Sequence, residues 1–496
     1  MLLRNSLWNL SGSALPSIAA LATVPLLIHA LGVEGYGIVT LVGSVIGYFG
    51  VLDINLSAGA IKYLAENHAS GNRERFAETF WFGAMFYGGL GVLGALAVAL
   101  ASWWLVGRFD VSPAMQADTI TAFQVGGLGF MLSQAQSYLI GVPQALQRYD
   151  RSAQSEAFFG VFVNVASVVV ALLGGGIVGV IAVRVAVSAF NVLYLVWLIR
   201  SFDLGLSFVW PGKEVRASMT SFSAYAYLSK LASTMHQHGD KLIIGALAGP
   251  VALTFYTVPA TLASRILGLT YRLSSVIYPR ASALAATDRM DELRKMYLGA
   301  MRHVTYINLV ALGMIVLAGD EFLRRWVGES FVAQGYPVLV LMTLALLADS
   351  LTNIPSLVND ALGHPRITGR FALGRGLLGV SLVYAGVVWS GIVGAGAGHL
   401  LASILLSVGF LWYVHGRSVP ISLKDMMRDG LGRSLTVGLL IFGVLFPVKW
   451  LFPSGIVGTL AIATIALVTL VCAGLAFIVN VDERTALMAV ARRRRT

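Results

Sequence analysis

Charge and cysteine are what this sequence has least of. Charged side chains make up 12% of its 496 residues, about half the roughly 25% of an ordinary soluble domain. A soluble multi-domain protein of this length is thereby excluded. The one cysteine, Cys472, lies in a late apolar run. It excludes any disulfide within the chain and any thiolate cluster around a metal. Acidic residues are also scarce, 24 against 35 basic ones, for a net charge of +11. Basic residues holding cytoplasmic loops in place account for that excess, so no nucleic-acid partner is expected. Long loops are missing too: the longest hydrophilic stretch runs to about 20 residues. No soluble catalytic domain fits, and no nucleophile–base constellation is visible. Neither an enzyme nor a cofactor is expected. Period-two alternation is absent from the apolar runs, which excludes a membrane β-barrel.

What is present is apolar. The hydrophobic fraction is 57% and the mean hydropathy +0.78. A spanning helix needs about 20 mostly apolar residues, and fourteen runs qualify. They begin with spans 1 and 2 at 10–31 and 37–60, include spans 7 and 8 at 219–248 and 251–278, and end with spans 13 and 14 at 433–451 and 455–479. Arg4 ahead of the first run reads as a signal anchor that stays. With the N-terminus in the cytoplasm, only Arg108, Arg324, Arg325 and Lys449 of the 35 basic residues fall outside. Five more (Arg184, Lys230, Lys241, Arg265 and Arg272) fall within spans, and the rest are cytoplasmic. The alternation holds to the end of the chain, so the expectation is an all-α, multi-pass membrane protein with both termini cytoplasmic. The basic tail VDERTALMAVARRRRT then serves as a topology anchor.

A faint repeat supports a two-lobed plan. HALGVEGYG joins spans 1 and 2, and GALAGPVALTFY joins spans 7 and 8. Each is a small-residue turn followed by an aromatic. Both copies start at an odd-numbered span, which makes the repeat parallel, a common transporter plan. The expected division is residues 1–212 (spans 1–6), 213–416 (spans 7–12) and 417–496 (spans 13–14 and the tail).

Polar residues within the spans recur at helical spacing. Ser223, Tyr227, Lys230, Thr234, Gln237 and Lys241 fall within about 80° on an ideal helix. Thr254, Thr261, Arg265 and Arg272 share a stripe in span 8. Arg184 follows the same habit in span 6, and Asn353 in span 10. A mid-bilayer charge costs roughly 2.5–3.5 kcal/mol on insertion scales, so these groups are expected to face protein or water. They read as the walls of a polar, predominantly basic cavity between lobes. Lys230, Arg265 and Arg272 are read as deep and unmatched. Asp53, Asp349, His236 and Asp240 are candidate ion carriers, and Asp240 alternatively holds His236 or neutralises Lys241. His236 and His238 point to different sides of a helix, so no metal is expected.

With those residues set out, the chain resembles the Wzx-type polysaccharide biosynthesis flippases of the multidrug/oligosaccharidyl-lipid/polysaccharide exporter superfamily. The resemblance rests on Asn5 and Trp8, LGVEGYG at 31–37, LDINLSAGAIKYLAE at 52–66, GDKLIIGALAG at 239–249 with Tyr256, IYPRASAL at 277–284 and NDALGHPR at 359–366. It departs at Asn55, where that family more often has glycine. The resemblance implies a flippase working by alternating access in the bacterial inner membrane. Its substrate would be a polyprenyl-diphosphate-linked oligosaccharide, its surroundings membrane lipids, its downstream partner a polysaccharide polymerase, and its state a monomer. An organic-cation or drug antiporter and a peptidoglycan lipid II flippase are the alternatives within that superfamily.

Overall fold

The computed structural model describes residues 2–274, 277–452, 455–480 and 483, and side chains except those of 2–13, 222–226, 228–229, 269 and 272–273. The side chains of Arg4, Asn5, Trp8, Ser223 and Arg272 and the basic tail from 484 onward therefore lie outside the described residues. Every element within that set is helical. Among the described residues, ten helical segments are long and apolar enough to cross a membrane. Large apolar side chains such as Leu100, Trp389, Leu439 and Val457 are exposed along them. In water such a surface would aggregate; against lipid it is the favoured one.

By contacts the chain divides into two compact units, 1–257 and 258–496. The first contains α1 (Leu2–Tyr48), α2 (Leu56–Ala69), α3 (Arg73–Val106), α4 (Gln116–Leu139), α5 (Gly141–Ala145), α6 (Tyr149–Leu172) and α7 (Gly176–Arg200). It also takes most of α8 (Lys213–Ser274). The second contains the end of α8, then α9 (Ile277–Ala286), α10 (Met290–Trp326), α11 (Ser330–Ser350), α12 (Asn353–Ala361) and α13 (Pro365–His415). There α14 (Leu423–Asp425) leads through a π-helical turn into α15 (Arg433–Val448), and α16 (Ile456–Ala473) follows.

The repeat seen faintly in the sequence is explicit in the backbone. α1 breaks at Gly32 (φ 74°, ψ 169°) and α8 at Gly249 (φ 79°, ψ 175°). This region is closed to residues with a Cβ, so glycine is required in both turns. Each broken helix leads into a short helix, α2 or α9, which packs on another short helix, α5 or α12. The short helices end alike. Gly71, Gln147, Asp288 and Gly363 all take positive φ. In each case that residue and its successor close on carbonyls of the last turn, as in Asn72 N–H to Asn67 O (3.0 Å) and Arg289 N–H to Leu284 O (3.0 Å). Both are left-handed helix stops. Asn55, the departure from the family pattern, sits at φ 59°. Asparagine is the non-glycine residue best suited to that conformation, so the exchange preserves the turn.

In the second unit α15 and α16 pack on α10. They are tied along its length: Ser434 Oγ donates to Arg302 O (2.7 Å), Tyr306 Oη to Leu470 O (2.6 Å), and Lys449 Nζ pairs with Asp320 (3.0 Å). Arg302, counted from sequence on the cytoplasmic side, is a buried residue of α10 that pairs with Glu483 at 2.9 Å. Near the end of α10, Glu321 pairs with both Arg324 and Arg325.

Candidate functional site

α8 approaches α1 closely within the first unit, and small residues on α1 allow it. A Cβ on Gly37 would lie 2.0 Å from Pro250 O, and one on Gly47 would lie 2.4 Å from the His238 ring. Thr254 Oγ1 donates to Val33 O at 2.8 Å. This contact brings the polar face of α8 beside the polar end of α1.

The first cluster forms where α1 hands over to α2. Asp53 is 2% exposed. Its Oδ1 accepts from Tyr87 Oη (2.8 Å) and from the Asn55 N–H (2.9 Å). Tyr87 Oη in turn accepts from the Ser57 N–H (2.8 Å), and its ring stacks on Tyr138 at 5.5 Å. Asp53 Oδ2 faces Lys230 Nζ at 3.8 Å, and the Lys230 side chain is 36% exposed. Lys230 is therefore not unmatched, as its isolation in the sequence suggested. Its partner comes from a span 177 positions earlier, and no local spacing reveals such a pairing.

The second cluster is three turns on, about 16 Å along α8 from Lys230 by helical rise. Asp240 is buried and its Oδ2 accepts from Tyr256 Oη at 2.9 Å. Its Oδ1 lies 3.9 Å from Lys241 Nζ and accepts from the Lys241 N–H at 2.8 Å. Lys241 Nζ also donates to Gln237 O, while Gln237 Nε2 donates to Ser233 Oγ at 2.8 Å. Of the two expected roles for Asp240, the pairing with Lys241 is present. Tyr227 and His236 are half-buried on the same helix. On α7, Arg184 Nε donates to Ser167 Oγ of α6 at 3.2 Å.

In the second unit Asp349, near the end of α11, meets Arg375 at 3.1 Å. Arg375 also donates to Ser407 Oγ at 3.2 Å. Counted from sequence on the cytoplasmic side, it lies ten residues into α13. Asn353 is buried at the start of α12, and Arg265 is exposed on the second leg of α8. Asp53, Asp240 and Asp349 thus each have a basic partner beside them. An excess of unmatched cations is not what the described clusters show.

These are the features of a helical multi-pass membrane protein with a transporter fold. Its backbone is shared with an inward-closed lipid II flippase, MurJ, over 96% of this chain and 99% of that one (TM-score 0.73, 11% identity). It is also shared with an inward-facing multidrug-resistance MATE transporter, over 82% of this chain and 93% of that one (TM-score 0.62, 15% identity). A family model described as "Polysaccharide biosynthesis protein" matches residues 27–334, and the chain belongs to that family. A Shigella flexneri relative named "Putative O-antigen transporter" is 22% identical over 378 residues, 74% of this chain and 86% of that protein.

Proposed function

We propose that the protein is a flippase for a polyprenyl-diphosphate-linked oligosaccharide repeat unit. It acts in the bacterial inner membrane by alternating access, and its product feeds a polymerase making O-antigen, capsule or exopolysaccharide. The observation that carries this reading is membership of the polysaccharide biosynthesis family over more than half the chain. Two further observations support the plan. The matching breaks at Gly32 and Gly249 fit a repeat of transport lobes, 1–212 and 213–416, with 417–496 appended. Ten apolar segments, three of them broken into two legs, together with α4 support a count of fourteen spans, and an even count puts both termini on one side, which the basic residues assign to the cytoplasm. The working unit is a monomer.

Lys230, Lys241, Arg265, Arg272 and Arg184 bind the diphosphate, while Tyr227, Gln237 and Asn353 bind sugar hydroxyls. The pairs found in the structure give the cations a means of release. A proton or sodium ion taken up by Asp53, Asp240 or Asp349 weakens the hold on Lys230, Lys241 or Arg375, and the diphosphate takes the carboxylate's place. His236 is a further candidate carrier. Energetics agree: a headgroup of charge near −2 leaving a negative-inside cell gains roughly 4–5 kcal/mol at 100 mV.

The test is a gene deletion with measurement of lipid-linked oligosaccharide on the inner leaflet. The deletion should accumulate the diphosphate-linked intermediate, and wild type should clear it. A well-expressed Lys230→Gln, Arg265→Gln, Arg272→Gln variant should not. No accumulation in a strain without a redundant flippase overturns the reading. Dye efflux dependent on the protein would favour an organic-cation antiporter, and lethality of the deletion a peptidoglycan lipid II flippase.

A further inference from the structure

Three of the four cations expected on the outer side have carboxylate partners: Lys449 has Asp320, Arg324 has Glu321 and Glu329, and Arg325 has Glu321. The fourth, Arg108, has none among the described residues. It is exposed just past the end of α3 and lies over the Trp104 ring, 5.3 Å from the centroid. Trp103 and Trp104 are exposed there as well, and tryptophan marks the membrane–water interface. A guanidinium at that level is placed for a lipid phosphate, the geometry it recognises best.

Arg108 lines a wide-open groove of about 500 Å³ in the first unit. Its lining comes from Val45, Tyr48 and Phe49 of α1 and its following turn, Leu242, Ala246 and Leu247 of α8, and the end of α3 with Trp104 and Arg108. Apart from the Arg108 head and the Tyr48 hydroxyl, these side chains are apolar. The volume is in the range of a single small-molecule site. An apolar groove with a guanidinium on its lining suits the hydrocarbon chain and the phosphate of a lipid.

We propose that this groove is an outer-leaflet binding site for a polyprenyl diphosphate lipid, with the first isoprene units in the slot and the diphosphate on Arg108. The choice of that lipid rests on the flippase reading; the site itself does not. Its lining shares no residue with the polar clusters of α8, and it gives the flipped lipid a resting place before it leaves.

The test uses the full-length protein in nanodiscs of phosphatidylethanolamine and phosphatidylglycerol, with a polyprenyl diphosphate carrying a diazirine near its head. After irradiation, adducts are mapped by mass spectrometry. They should concentrate on residues 103–109 and 242–247, and unlabelled polyprenyl diphosphate should displace them. Arg108→Gln, at an exposed position, should cut the yield at least about tenfold, the loss of one charged hydrogen-bonding partner. Ala246→Trp, on the exposed wall, should fill the slot and abolish the adducts while the elution profile stays unchanged. Labelling spread evenly over lipid-facing helices, indifference to Arg108→Gln, or equal displacement by excess phosphatidylglycerol would each overturn the proposal. The deletion experiment separates the two ideas. If no intermediate accumulates but the groove is labelled, the flippase reading fails and the lipid site stands. If intermediate accumulates and the groove is unlabelled, the site alone fails.

Discussion

Removing Lys230 should reveal how strongly Asp53 depends on it. At 3.8 Å and an effective dielectric near 20, the bare attraction is about 4 kcal/mol. Lys230 is 36% exposed, so solvent screens it and much of that attraction offsets desolvation of the buried carboxylate. A net of about 1–2 kcal/mol lies between the values for exposed and buried pairs. Asp53 keeps its hydrogen bonds from Tyr87 and Asn55 in either case. Lys230→Gln should therefore lower stability by about 1–2 kcal/mol, or roughly 2–4 °C of melting temperature per kcal/mol for a body of this size. Asp53→Asn should cost a similar amount. The double variant should cost clearly less than the two together, because no charge is left uncompensated. The assay is thermal unfolding in detergent as a double-mutant cycle, with flipping measured in proteoliposomes alongside. A coupling below about 0.3 kcal/mol, the level of independent sites, would refute the pair. If the double variant recovers stability but not flipping, the pair works in transport as well as in folding.

In the Arg375–Asp349 pair the cation is less exposed than Lys230 (22%) and the carboxylate more exposed than Asp53 (14%). Losing one partner should therefore cost a similar amount, about 1–2 kcal/mol, with partial recovery in Arg375→Gln, Asp349→Asn. Gly249→Ala forces a side chain into left-handed backbone and should cost about 1–3 kcal/mol in the same melting assay. Gly37→Ala should be worse than Gly249→Ala, because its Cβ would meet the Pro250 carbonyl at 2.0 Å and α1 and α8 would have to part; yield of folded protein reads this out. In a Cys472→Ser background, single cysteines test the topology. Arg108→Cys and Lys449→Cys should react with an impermeant maleimide from outside, while Lys62→Cys and Arg417→Cys should react only after permeabilisation.

The sequence was most legible where chemistry is local. Apolar runs of the right length foretold the helices, and the turn residues around Gly32 and Gly249 foretold the two breaks. Helical spacing placed Lys230, Gln237 and Lys241 on one face. What sequence could not supply was partnership across distance. Asp53 and Lys230 look isolated in their own spans, so each was read as a separate functional group. Arg375 and Arg302, at the cytoplasmic ends of their spans, were counted only for their side of the membrane, although both hold carboxylates. Ion pairs between spans leave no periodic trace in either partner, and the positive-inside count is blind to a cation just inside a span. Arg375 did leave one clue: it stands ten residues into α13, with mostly apolar residues and glycines around it.

The two carboxylates suggest why such charges are kept at all. Asp53 precedes α2 and Asp349 precedes α12. Each lies where a span gives way to a short helix, and each meets a cation from another long helix. A hydrophobic contact at these points would also join the helices, and at lower desolvation cost. An ion pair differs in having a second state. Protonation, a bound cation or a competing phosphate can dissolve it, whereas a leucine contact responds to none of these. A carrier needs contacts that hold one conformation and yield to another under a chemical signal. If the pairs serve that purpose, replacing Arg375 and Asp349 together by methionine and leucine should raise the melting temperature while slowing flipping. A variant that is both more stable and equally active would show that the pair is only a strut.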